Sequence, residues 1–454
     1  MQVRNPATTE VISEVPDDSL ASVTEKYTRA RSAQPTWAAT PLATRLAAIA
    51  RFRDLIVARK DELALTLTRE MGKPLTQAKN ELSATPGRID FFLENTESTL
   101  ADETVVDTGP TTEVIAHEPL GVVANVSAWN YPWFVGSNVF VPALLTGNTV
   151  LYKPSEHATL TGLAIERLLH EAGVPNDAFI AVTGGGEVGA ALVDQPVDGV
   201  FFTGSYGTGR RIAERVAPRL VRVQLELGGK DPAYVTDDAD VAAAAASLAD
   251  GAMYNTGQSC CAVERIYVHE RVADAFVGAL VDAVRGFRVG DPEDAETYIG
   301  PLAREAQLAI LETQVTDALG KGAELLLGGR RLERKGYYFE PTVLAKATNA
   351  MSVMREESFG PVIGVARVKS DEQAVELMND SEYGLTAGVY GRDPERARRI
   401  LKGVNAGSAY FNCCDRVSPR LPWTGRKHSG IGSTLSKYGI LAFVQPKAWH
   451  LRSP

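Results

Sequence analysis

The stretch "LGVVANVSAWNYPWFVGSNVFVPALLTGNTVLYKP", residues 120–154, decides the fold. From Pro119 to Tyr152 there is no charged residue, a length that would suit a membrane-spanning helix. Pro132 and Pro142, Asn125, Asn130, Asn138 and Asn148, and Gly121, Gly136 and Gly147 interrupt it. Breaks and amides at that density leave backbone and side-chain groups that lipid cannot satisfy. A buried turn, strand and helix fit better, so no membrane association is expected. "GVVANVSAW" and "GNTVLYKP" are short, apolar and bounded by Gly, Asn or Pro, which marks strands.

Outward from there the alternation continues. "AFIAVTGGG" (178–186) and "GVFFTGS" (199–205) read as strands. "LTGLAIERLLHEAG" (160–173) and "GEVGAALVDQ" (186–195) read as the helices between them. Such alternation predicts a parallel sheet with helices on its faces. Upstream, "TRLAAIARFRDLIVARKDELALTLTREMGKP" (44–74) spaces its apolar residues at three and four and stops at Gly72 and Pro74. Past Glu226 the pattern restarts in "PAYVTDDADVAAAAASLADGAMYN" and "ERIYVHERVADAFVGALVDAVRGFRVG". A second α/β domain is expected, with a boundary near 226–232. The tail "GILAFVQPKAWHLRSP" reads as a strand without a neighbour of its own, the kind of edge that pairs with another subunit.

Bulk properties agree. A chain of 454 residues exceeds what one core usually serves, so two or three domains are expected. A net charge of -9 argues against a nucleic-acid surface. "MQVRNPATTEVISEVPDD" at the N-terminus lacks the apolar core of a signal peptide; the cysteine usage makes a reducing cytoplasm the expected location. The four cysteines form two adjacent pairs, Cys260–Cys261 and Cys413–Cys414. That is neither a disulfide framework nor a metal-binding spacing, so no metal is expected.

Several short motifs could carry chemistry, and each has a plainer reading. Gly184, Gly186 and Gly189 spell a dinucleotide fingerprint, but the acidic residue expected about twenty positions on is missing; a tight turn before a helix would read the same. "FFTGSYGTGRR" is a second Gly-rich turn, with a helix expected to start near Gly209 and Ser205 able to donate to phosphate. Lys153 and Glu156 in "LYKPSEH" could hold ribose hydroxyls or be solvated charges. Glu226 lies among Val223, Leu225 and Leu227, where burial would raise its pKa toward that of a base working near neutrality; a strand residue facing solvent would read the same. Asn130 between Trp129 and Tyr131 could donate to an oxyanion or simply cap a turn.

Their order is more informative than any one of them. Asn130, Lys153, the "FTGS" turn, Glu226 in "LELGGK", "GQSC" ending at Cys260, and "EESFGP" at 356–361 resemble the aldehyde dehydrogenase superfamily of NAD(P)-dependent enzymes. The resemblance runs from "NPATTEVI" to "SGIG" and "KYGILAF", nearly the whole chain. It implies an α/β fold with two Rossmann-like domains and a β oligomerisation arm. Residues 1–98 and 120–228 would bind cofactor, 229–431 would be catalytic, and 99–119 with 432–454 would form the arm of a homodimer or homotetramer.

The same resemblance assigns roles. Cys260 is the nucleophile, Asn130 an oxyanion donor and Glu226 the base that activates water. Lys153 and Glu156, with Ser155 between them, contact the adenosine ribose, and Gly186 lies beside the adenine. Gly204, Ser205 and Gly209 shape the pyrophosphate turn; Glu357, Phe359 and Trp129 surround the nicotinamide end. Glu156 favours NAD over NADP, without excluding NADP. Tyr131, Trp133, Asn138, Tyr254 and Cys261 are the candidates for the substrate pocket of a small-molecule aldehyde. The arginines that the succinate-semialdehyde branch places eight residues after the asparagine and six before the nucleophile are here Asn138 and Tyr254, which marks that substrate down. Arg416, Arg420 and Arg426 could serve an acidic substrate by another route, or be solvated loop charges. Cys413 or Cys414 could bridge Cys260 or Cys261 under oxidation, or simply pack. Glu226 counts against transfer of the acyl group to coenzyme A, and the filled catalytic positions count against a silent relative.

Overall fold

The computed structural model describes residues 1–453. The uncharged stretch folds as strand Val122–Val126, helix Pro132–Leu145 and strand Thr149–Lys153, with the two strands paired in parallel. Pro132 takes the first helical position, where a missing N–H costs nothing. The helix is buried almost all round, which is why its sequence shows no polar face. Among the described residues no helix is long and apolar enough to cross a membrane.

Those strands belong to a six-stranded sheet, ordered Gly430–Ile431, Arg222–Glu226, Gly199–Thr203, Val122–Val126, Thr149–Lys153 and Phe179–Ala181. Five are parallel; Gly430–Ile431 joins antiparallel to Arg222–Glu226. That short strand comes from the segment assigned above to the second domain. It can approach because Gly430 has no Cβ, which would lie 2.0 Å from the Leu225 carbonyl oxygen. Helices Leu20–Ala39, Leu42–Ala58, Lys60–Met71 and Leu75–Leu100 precede the sheet. The periodic run at 44–74 is thus two helices meeting at Arg59, the second closed by left-handed Gly72.

A seven-stranded sheet follows, ordered Glu324–Leu327, Thr342–Ala345, Val362–Val368, Val263–His269, Asp231–Val235, Thr386–Tyr390 and Ser408–Phe411. Only Glu324–Leu327 runs antiparallel to its neighbour. The first sheet's Arg222–Glu226 and this sheet's Asp231–Val235 are separated by the Leu-Gly-Gly-Lys turn alone.

The tail differs from its reading as one strand. Ser436–Leu441 is a helix, and the strand begins at Val444. It pairs antiparallel with Thr111–Pro119 of the same chain, from Val444↔Pro119 to Arg452↔Thr111. Glu103–Asp107 completes a three-stranded sheet whose outer edge is Val444–Arg452. The partner was legible only through tertiary structure, since more than 300 residues of chain separate the two strands.

Candidate active site

In the first sheet the five parallel strands end, at their carboxyl side, in Val126, Lys153, Ala181, Thr203 and Glu226. Open α/β sheets bind ligands at that end. A cavity of about 630 Å³ lies there, and a second of about 720 Å³ opens on the other side. Three residues line both: Asn130, Glu226 and Cys260.

Cys260 is held by a strained turn. Asn255, Thr256 and Gly257 all have positive φ, at 54°, 59° and 70°. Left-handed backbone at two consecutive non-glycine residues costs energy and persists only where surroundings enforce it. Here they do. Asn255 Nδ2 donates to the Gln258 carbonyl at 2.9 Å, and the Ala303 N–H donates to Gln258 Oε1 at 2.9 Å. At Gly257 a Cβ would lie 2.3 Å from the Gly360 carbonyl oxygen, so only glycine fits. The turn leaves Cys260 partly exposed to both cavities while Cys261 is buried in the wall of the second alone, its thiol donating to Asp415 Oδ1 at 2.9 Å. A hydrogen bond to Cys260, then burial and the Asp415 charge, push the Cys261 thiol well above its ordinary pKa.

Glu226 closes its strand, and burial raises its pKa to about 7, against opposing effects of the Thr434 hydroxyl and the Arg88 charge. Thr434 Oγ1 and Gln224 Nε2 both donate to its Oε1. The carboxylate of a group with a pKa near neutrality can take a proton from water. Asn130 Nδ2 donates to the Gln258 carbonyl at 3.2 Å, which ties the amide to the turn that carries Cys260. Its own backbone carbonyl accepts from buried Lys73 Nζ at 2.7 Å.

Lys153, Ser155 and Glu156 line the first cavity together with Trp129, Glu357, Phe359 and Cys260. Gly186, Gly204 and Ser205 line it too. Helix Tyr206–Val216 starts three residues before its expected position, with Ser205 as its N-cap. The Ser205 hydroxyl donates to Thr208 Oγ1 at 3.2 Å and accepts from no backbone N–H, and its carbonyl takes the Thr208 and Gly209 N–H groups, which leaves those of Tyr206 and Gly207 open to an anion. Gly209 does not line the cavity. It lies behind, where a Cβ would sit 2.4 Å from Leu227, so its part is to let the helix pack on the sheet. The Gly229 N–H donates to Glu357 at 3.1 Å; burial, then the Glu264 charge, raise Glu357 to about 8. A cation and a carboxylate, open N–H groups at a helix N-terminus and the Cys260 thiol in the lining of one cavity suit a dinucleotide.

A family model described as the aldehyde dehydrogenase family matches residues 1–449. The chain belongs to the aldehyde dehydrogenase family. It is 37% identical over 448 residues to a succinate-semialdehyde dehydrogenase (NADP(+)) of Deinococcus radiodurans, covering 98% of this chain and 93% of the relative. An aminoaldehyde dehydrogenase 2, peroxisomal, of Malus domestica is 35% identical, covering 98% and 90%. The crystal structure of lactaldehyde dehydrogenase from Escherichia coli superposes with a TM-score of 0.97 at 35% identity, covering 100% of this chain and 96% of that one.

The second cavity of this aldehyde dehydrogenase is lined by Tyr131, Asn138, Tyr254 and Cys261 among the expected pocket residues. Trp133 is the exception. It is buried in the core, and what it offers is its backbone N–H, donated to Glu81 at 3.0 Å. The helix begins one residue earlier, which turns Trp133 away from the cavity that Tyr131 faces. Arg416 and Arg420 line the cavity as exposed loop residues, whereas Arg426 lies in the strand Arg426–Lys427, away from it. Cys414 shares the lining; all four cysteines are unbridged. Sequence reading missed Lys73, Glu81, Arg88 and Asp415. Lys73 was hidden inside the Gly72–Pro74 helix stop, and Arg88 inside the long helix Leu75–Leu100.

Proposed function

We propose that the protein oxidises a small aldehyde to the free carboxylic acid with NAD or NADP. Cys260 attacks the aldehyde carbon, and the Asn130 amide stabilises the oxyanion of the thiohemiacetal. The nicotinamide cofactor, when bound, supplies the hydride acceptor that leaves a thioester on Cys260. Glu226 then removes a proton from water, which hydrolyses the thioester and frees the thiol. Lys153, Ser155 and Glu156 would hold the adenosine ribose, Gly186, Gly204 and Ser205 the turns around it, and Trp129, Glu357 and Phe359 the nicotinamide end. Gly209 would serve by packing. Tyr131, Asn138, Tyr254 and Cys261 would line the path of the aldehyde.

One observation carries this reading: Asn130, Glu226 and Cys260 are the three residues common to both cavities. A nucleophile, an amide donor and a base thus stand where the two spaces meet. On this reading the six-stranded sheet with its preceding helices binds the cofactor and the seven-stranded sheet carries the nucleophile. The three-stranded sheet would be the arm of a homodimer or homotetramer, on the open edge of Val444–Arg452. With four free thiols, the cytoplasm is its expected compartment.

An aldehyde panel with NAD and NADP, with and without coenzyme A, tests the proposal. One reduced cofactor per aldehyde, a free acid as product and no dependence on coenzyme A are expected, with NAD favoured because Glu156 repels a 2′-phosphate. An acyl-coenzyme A product, or no oxidation, would refute it.

A further inference from the structure

Arg88 lies in helix Leu75–Leu100, 8% exposed, on the wall of the second cavity. Its Nη1 donates to Asn138 Oδ1 at 3.2 Å, and its guanidinium carbon lies 4.0 Å from the Phe134 ring centroid. Among the described residues no carboxylate forms an ion pair with it. That is costly, because a buried charge is normally paired.

The cavity's carboxylates are otherwise engaged. Glu81 is held by Lys73 and by the Trp133 N–H. Asp415 accepts the Cys261 thiol, and Asp250 accepts the Tyr298 hydroxyl. Glu226 is taken by Thr434 and Gln224. Arg88 is the buried charge in this wall without a direct ion pair; the Glu81, Asp415 and Glu226 charges act on it only through space, each bound to another group. It is also fixed: the aromatic face below and Asn138 beside it hold the guanidinium while most of its N–H groups stay free of protein acceptors. That arrangement suits bidentate binding of a planar anion.

We propose that Arg88, with Asn138 orienting it, binds a carboxylate carried by the substrate, so that the preferred aldehydes are ω-oxo acids. This inference rests on the aldehyde-oxidising function proposed above. The cation that the sequence lacks at 138 and 254 is supplied from a different helix, and Asn138, one of those two positions, is its hydrogen-bond partner.

The test compares kcat/KM of the full-length enzyme and of R88Q and R88K on three four- or five-carbon aldehydes: an ω-oxo acid, the uncharged alkanal and the ω-amino aldehyde. The wild type is expected to prefer the oxo acid over the alkanal by about 100-fold. In R88Q that ratio should fall about 100-fold, through KM of the acid, with part restored in R88K. Dicarboxylates of four or five carbons should compete with the alkanal in the wild type and not in R88Q, with cofactor binding by fluorescence reporting that the variant is folded. Equal use of all three aldehydes, preference for the amino aldehyde, or a proportional loss on every substrate in R88Q would overturn the proposal. If the wild type oxidises none of the aldehydes, it is the proposed function that fails.

Discussion

The ammonium of Lys73 donates to the backbone carbonyl of Asn130 at 2.7 Å, while its other partner is the carboxylate of Glu81. Both charged side chains are fully buried. Lys73 also lies 3.7 Å from the Tyr131 ring centroid, so one side chain holds the Asn130 backbone carbonyl and the neighbouring Tyr131 ring. Lys73→Met should leave the Glu81 carboxylate buried without its counter-ion and cost about 3–5 kcal/mol, read as a lower midpoint in urea unfolding. An unchanged midpoint would show that the pair does not hold this region.

Asn130→Ala removes the amide but not the nucleophile. Losing one oxyanion donor should lower kcat about 10²–10³-fold, with the cavity still able to take up the cofactor. Steady-state kinetics beside cofactor titration checks this. Loss of cofactor affinity with unchanged kcat would give Asn130 a different role.

The adjacent cysteines should behave differently. Cys260→Ala should abolish oxidation, whereas Cys261→Ala should keep most of it, since the Cys261 thiol is buried and bound to Asp415. Limited alkylation followed by peptide mass mapping should modify Cys260 first. Similar losses in the two variants would contradict the assignment.

Activity should rise with pH through about 7. Burial favours the neutral form of Glu226 and lifts its pKa to about 7. Only the ionised form can accept a proton, so hydrolysis should fall about tenfold per pH unit well below that value. The acid limb of a kcat–pH profile measures it; a flat profile between pH 5.5 and 8 would exclude Glu226 as the base whenever hydrolysis limits turnover.

Much of the fold was legible because strands and helices alternate with short apolar strands bounded by glycine and proline. The uncharged stretch at 119–152 is uncharged because it supplies two central strands and a helix buried almost all round. What the sequence could not fix was direction and distance. Trp133 and Tyr131 look alike as aromatic neighbours of Asn130, yet the helix start sends one into the core and the other to the cavity. Arg88 was missed because its importance comes from what is absent around it, a counter-ion, and local sequence does not record that. Lys73 and Asn130 lie 57 residues apart, so their contact has no local signature. Cys260 and Glu226, by contrast, sit in motifs whose spacing was readable in one dimension.

In the proposed function Asn130, Cys260 and Glu226 divide one reaction where two cavities meet. Mixing Glu226→Gln rapidly with NAD and an aldehyde that the wild type oxidises tests it most directly. A burst of about one reduced cofactor per active site is expected, then slow turnover, with intact-mass analysis finding the acyl group on Cys260. Normal steady-state turnover, or an acyl group on any other residue, would contradict it.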